Sequence, residues 1–156
     1  MTRREKYPET GTFHFYNANP KNRFTTDCVI RALSTALEIP YNQVVMELAE
    51  LQCKTGYDAC EKKAYDIYLK SKGWVKRGQP RKVDDTKFTG EEFCNYMYNE
   101  AYTYWSTKDI NKHKRMVANI GGHHVVAIIN FKVYDTWNST DSCIGNYWVK
   151  IKTCTL

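Results

Sequence analysis

Thr25-Thr26-Asp27-Cys28-Val29-Ile30-Arg31-Ala32-Leu33 places a cysteine where irregular backbone gives way to an apolar-periodic helix. A helix start presents free N–H groups and the positive end of the helix dipole. Both lower the pKa of a thiol and favour the nucleophilic thiolate. Asp27 or Thr26 is placed to cap the helix. The competing reading of Cys28 is a small buried hydrophobe. The residues that weigh between the two readings stand near the other end of the chain.

Working outward, Cys28 to Glu38 reads as one helix, with Ile30, Leu33 and Leu37 spaced along one buried face. Arg31 interrupts that face and is expected to be exposed or paired. Ile39-Pro40 ends the helix, because the residue before proline is driven out of the α region. Pro40 suits the opening of a second helix, with Val44, Val45, Leu48 and Leu51 as its apolar stripe and Gly56 as its stop. Asp58-Ala59-Cys60-Glu61 resembles a capping box and opens a third helix carrying Ala64, Ile67, Tyr68 and Leu69, closed by Gly73. Before the cysteine, residues 1–22 are polar and turn-rich. Residues 1–20 are expected to form a loosely packed arm, with an edge strand at Thr12 to Tyr16.

After the third helix, Trp74 to Lys76 reads as a short strand and Gly78 to Lys87 as a charged connection. Thr89-Gly90-Glu91-Glu92 is a capping box that starts a short helix through about Tyr98. The period then changes. Ala101 to Ser106, Met116 to Ile120, His124 to Ile129, Lys132 to Thr136 and Tyr147 to Lys152 are rich in β-branched and aromatic residues and are separated by turn signals. Helices followed by strands predict an α+β fold, N-terminal helices on a C-terminal antiparallel sheet, in a single domain over 1–156.

The composition fits that picture. The chain has 156 residues, enough to bury a sizeable core, with 12 Tyr, 6 Phe and 4 Trp supplying large apolar area. The net charge of +6 is dispersed, so solvated surface outweighs nucleic acid as the role of the basic runs. The longest apolar run, Val125 to Ile129, is too short to cross a membrane. Six cysteines follow a polar start, Met-Thr-Arg-Arg-Glu-Lys, without a leader-like apolar run. That pattern is read as free thiols in a reducing, cytoplasmic setting. No C-x-x-C pair occurs, and the Cys and His spacings fit no zinc site, so neither metal nor cofactor is implied.

His124 opens one predicted strand and Asp135 lies in the next. A two-residue turn at Asn130-Phe131 sets Ile129 opposite Lys132 and Val126 opposite Asp135, with His124 diagonally beside the carboxylate. Asp135 is then placed to orient the ring, as the third member of a triad does. A three-residue turn would bring His123 to that face instead and set His124 opposite Asn138, itself a possible orienter. Taken singly, His124 after Gly-Gly reads equally well as a turn residue. The joint occurrence of a cysteine at a helix start with histidine and aspartate on adjacent strands carries more weight.

The order Cys, His, Asp, with the cysteine heading a helix and the histidine on a sheet strand, resembles the papain-like cysteine peptidase superfamily. More narrowly, "TTDCVIRALS", "QPRK", "GHHVVAI" and "YDTWN…GNYW" are similar to small papain-like proteins of bacteria and bacteriophages, over roughly residues 17–149. The resemblance implies Cys28 as nucleophile, His124 as general base and acid, and Asp135 as orienter. Papain itself has a glutamine six residues before its cysteine as an oxyanion donor. Asn22 holds that position here, so the oxyanion-hole candidates are the Asn22 amide and the Cys28 backbone N–H. Trp137 and Trp148 are candidates to wall the site. The expected activity is hydrolysis of a polypeptide or amide substrate through a thioacyl-enzyme. The alternatives are a transglutaminase-like acyl transferase with the same triad, and a catalytically degenerate fold that binds a protein or nucleic-acid partner.

Overall fold

The computed structural model describes residues 1–151. Its elements, in chain order, are α1 (Arg3–Lys6), β1 (Phe13–Phe15), α2 (Cys28–Leu37), α3 (Tyr41–Thr55), α4 (Lys62–Ser71) and β2 (Trp74–Arg77). These are followed by α5 (Gly90–Tyr104), α6 (Thr107–His113), β3 (Arg115–Ile120), β4 (His124–Ile129), β5 (Lys132–Asp135) and β6 (Ile144–Lys150). The class is α+β: six helices and one six-stranded sheet among the described residues, in the order β1-β5-β4-β3-β6-β2. Lys152, the final residue of the expected last strand, and Cys154 lie outside the described residues.

The central strands β3 and β4 are covered on both faces and therefore read as nearly continuous apolar runs. Val117, Val125, Ala127 and Ile129 face one core with α2, α3 and α4, built around Leu33, Val44, Leu69 and Trp148. Met116, Ala118, Ile120, Val126 and Ile128 face the other core with α5, built around Phe93, Met97 and Ile144. The alternation follows from the two-residue period of a strand.

The hairpin between β4 and β5 has the expected two-residue turn: Ile129 pairs with Lys132, Ile128 with Val133 and Ala127 with Tyr134. Asn130 and Phe131 both take positive φ, 49° and 62°, as a tight hairpin with matching twist demands. A phenylalanine in that region is strained. Its ring is buried in the α5-side core, against the edges of Tyr98 and Tyr102, which holds the backbone there.

Several expectations need correction. The sheet is mixed rather than antiparallel, because β1 runs parallel to β5 at one edge. Part of the segment expected to pack loosely is thereby docked: Phe13 in β1 is fully buried, whereas residues 1–6 are exposed. Ala101 to Ser106 is not a strand. Helix α5 continues to Tyr104, with Met97 and Ala101 buried one turn apart and Tyr98 stacked on Tyr102, ring centroids 4.8 Å apart. Helix α4 starts at Lys62 without a side-chain cap, since Asp58 instead accepts from the Cys60 N–H in a local turn. The most buried face of α2 is Val29, Ala32, Leu33 and Ala36, leaving Ile30 and Leu37 half-buried. The capping box at Thr89–Glu92 forms as expected.

Candidate functional site

His124 is the first residue of β4 and Asp135 the last of β5, so the antiparallel hairpin brings both to one end of the sheet. Cys28, the first residue of α2, meets them there. His124 Nε2 lies 2.5 Å from Asp135 Oδ2, and the Cys28 thiol is close enough to the ring for the two to shift each other's pKa. With Nε2 occupied by the carboxylate, Nδ1 is the nitrogen left for sulfur. His123 is exposed in the Gly121-Gly122 turn. The Asn138 carbonyl oxygen accepts from the N–H and hydroxyl of Thr140, so the amide is spent in its own loop.

The electrostatics of the pair run in complementary directions. Burial raises the Cys28 pKa, but the hydrogen bond to His124, a backbone N–H from Val125 and the charges of His124 and Arg31 outweigh it and leave the thiol below its ordinary value. Burial pushes the His124 imidazolium down. The hydrogen bonds to Asp135 and Cys28, with their charges, override burial and raise it to about 9. The two groups titrate as a pair. Between the lowered thiol value and about 9, the arrangement favours thiolate and imidazolium together.

Asp135 is almost completely buried and collects four donors. Besides His124 these are the Thr136 N–H at 2.7 Å, Arg31 Nη1 at 3.1 Å and Ser139 Oγ at 3.1 Å. Arg31 is therefore paired, as one of the two expectations held, and it is buried. Its Nε donates to Asp27 Oδ1 at 2.8 Å. Asp27 Oδ2 accepts from the Tyr41 hydroxyl at 2.6 Å and from Asn19 Nδ2 at 3.1 Å. That is why Asp27 does not cap α2: its oxygens are drawn to Arg31, Tyr41 and Asn19. The N–H groups at the start of α2 are left without this cap, beside the sulfur.

Asn22 is not drawn into this cluster. It is exposed, with φ 53°, and its backbone N–H donates to the Asn19 carbonyl at 2.9 Å. Among the described residues, no hydrogen bond fixes its side-chain amide. The other candidate, the Cys28 N–H, stands at the start of α2, where Asp27 makes no side-chain cap. Trp137 packs on His124, ring centroids 5.1 Å apart, and shields one side of the imidazole. Trp148 is a core residue instead: fully buried, edge-on to Tyr65, its indole N–H donating to Asp66 at 2.9 Å.

Sequence reasoning missed Asp27, Tyr41 and Ser139 as site supports. The Asp27–Arg31 pair at i,i+4 was the available signal. Cys53, Cys60, Cys94 and Cys143 are free thiols. Burial pushes Cys94 up to about 12, and Cys60 is raised by burial and by Asp58. Among the described residues, no group of three or more His, Cys, Asp or Glu side chains is placed to hold a metal ion, and no helix is long and apolar enough to cross a membrane. A groove of about 970 Å³ lies at the far end of β4, beside Ile129 and Asn130, and none of the three site residues lines it. Comparison with protein-family models, with curated proteins and with solved structures finds no match.

Proposed function

We propose that the chain is a papain-like thiol hydrolase that cleaves amide bonds of a polypeptide or a small amide through Cys28, His124 and Asp135. The observation that carries this reading is one imidazole held between a buried carboxylate and the cysteine at a helix start. Papain-like order and motifs agree with it, and no cofactor is needed.

In the proposed reaction the Cys28 thiolate attacks the acyl carbon. The carbonyl π electrons move to oxygen, where the N–H groups at the start of α2 stabilise the negative charge. The imidazolium of His124 gives its Nδ1 proton to the departing amine as the C–N bond breaks, leaving a thioester on Cys28. His124 then takes a proton from water, hydroxide adds to the thioester, and the acid product leaves as thiolate returns. Asp135 holds the Nε2–H tautomer throughout.

Alkylation by iodoacetamide, followed on individual cysteine peptides by mass spectrometry, tests the assignment. Cys28 is expected to react fastest near neutral pH and to keep its rate below pH 7. His124→Ala should slow it far more than His123→Ala. Fastest reaction at another cysteine, or equal effects of the two histidine changes, would overturn the assignment.

A further inference from the structure

At the turn that leads into His124 lies a pocket of about 430 Å³ with an unusual lining: Lys62, Lys87, Asn119, Asn146 and the backbone of Gly121-Gly122 among its walls, with no carboxylate and no aliphatic or aromatic side chain. Its position is fixed by the same elements as the site. Gly121-Gly122 leads into His124, and Asn119 stands opposite Val125, the residue whose N–H reaches the Cys28 sulfur. The Asn119 amide N–H donates at 2.8 Å to the hydroxyl of Tyr65, one turn beyond Lys62 on α4, and Tyr65 feels the charge of Cys28.

The pocket exists because the sheet is irregular there. Between Ala118, paired with Tyr147, and Ile120, paired with Ile144, Asn119 alone faces two residues of β6, Gly145 and Asn146. Such bulges re-aim side chains beside functional sites. A Cβ on Gly145 would approach the Asn119 Cβ to 3.2 Å, so glycine lets the strands close around that amide. Asn119 is about 5 % exposed, yet its Oδ1 has no hydrogen-bond partner among the described residues. Buried acceptors are rarely left so. The Lys62 ammonium donates to the neutral Asn146 amide, and Lys87 is exposed. The charges facing this space are thus positive.

We propose that this pocket is the subsite through which the enzyme selects acidic polypeptide substrates, Lys62 and Lys87 holding a substrate carboxylate. The inference rests on the thiol-hydrolase reading, since it is the place at the turn into His124 that makes the pocket a substrate site. Apolar side chains find no apolar wall here, and basic ones meet two lysines.

The test is protection of Cys28 from iodoacetamide by three N-acetylated decapeptides that alternate glycine with glutamate, glutamine or lysine. The alkylation rate without peptide reads the nucleophile independently, and each protein is normalised to it. The glutamate peptide should slow Cys28 alkylation about fivefold or more at a concentration where the glutamine and lysine peptides have no effect, a ratio typical of one or two partly exposed ion pairs. Lys62→Glu/Lys87→Glu should abolish that protection and transfer it to the lysine peptide. Equal protection by the acidic and neutral peptides, or protection that survives the charge reversal, overturns the subsite even when Cys28 remains the fastest thiol. If Cys28 has ordinary reactivity, the nucleophile reading falls and takes the substrate role of the pocket with it.

Discussion

Replacing Asp135 by asparagine is the sharpest probe of the site, because size is kept and charge is removed. In the parent, the His124 imidazolium rises from 6.5 to about 9 against the opposition of burial. At about 1.4 kcal/mol per tenfold change in protonation, the rise is worth about 3 kcal/mol. Asp135 is the first of the groups that produce it and Cys28 the second. Assigning the carboxylate about 2 kcal/mol gives a fall of roughly thirtyfold in the constant that favours imidazolium–thiolate over the neutral pair. The side-chain amide adds a second effect. Its NH2 is repelled by Arg31 and by the Thr136 N–H, both of which face Oδ1, so it turns toward His124 Nε2. The ring must then accept at Nε2 and carry its proton on the wrong nitrogen.

The pH dependence of Cys28 alkylation in Asp135→Asn measures this directly. The parent should hold a plateau from below neutrality to about pH 9. The variant should lose reactivity at pH 6.5, by at most roughly thirtyfold, and climb with pH as an ordinary thiol does. The stability consequence has a definite sign. A histidine whose folded value is raised contributes its full stabilisation below 6.5 and loses it as pH rises through about 9. The stability gap between parent and variant in urea should therefore be wider at pH 6 than at pH 10, by about 2 kcal/mol. A folded Asp135→Asn protein, judged by circular dichroism, that keeps the low-pH plateau would refute the carboxylate's role in setting the imidazolium.

Arg31→Met should destabilise by about 3–5 kcal/mol, because it strands two buried carboxylates, Asp27 and Asp135, without their shared cation; urea denaturation should show a lower midpoint with an unchanged slope. Phe131→Ala should cost about 3–5 kcal/mol by the same assay, since it empties the ring's place in the α5-side core while leaving a non-glycine residue at φ 62°. A loss under 1 kcal/mol in either variant would contradict the packing described.

What was legible in the sequence is what local periodicity controls. The helix from Cys28, the strand from His124 and the hairpin between Ile129 and Lys132 all follow from alternation and end signals. The hairpin matters most, since a shift of one residue would have moved His123 to the carboxylate's face. The rest depended on contacts distant in sequence. Tyr98, Tyr102 and Tyr104 suit strands and helices alike, and only burial of Met97 and Ala101 one turn apart shows that α5 continues. The parallel pairing of β1 with β5 joins residues more than a hundred positions apart and leaves no local trace. Helix α6 is charged and short, with no apolar period to reveal it; Ser106 caps it and His113 packs on Trp105. Asp27 reads as a helix cap until the Tyr41 and Asn19 donors are in place.

Those donors explain how one carboxylate serves two purposes. Asp135 ties α2 to β5 through Arg31 and also raises His124. A guanidinium bound to Asp135 alone would spend most of the carboxylate's field and leave little for the imidazole. Asp27 prevents this by taking the Nε side of Arg31 at 2.8 Å, while Nη1 reaches Asp135 at 3.1 Å. Tyr41 and Asn19 hold Asp27 in that position, and burial together with the Asp27 contact lifts the Tyr41 phenol to about 12, so that it remains a donor. From Asp27 through Arg31, Asp135 and His124 to Cys28, charges then alternate in sign, each flanked by its opposite. In surroundings of reduced dielectric such neighbours interact by several times their strength in water. The thiolate at the start of α2 is therefore stabilised by a chain of contacts that begins with the residue just before it, on the same helix.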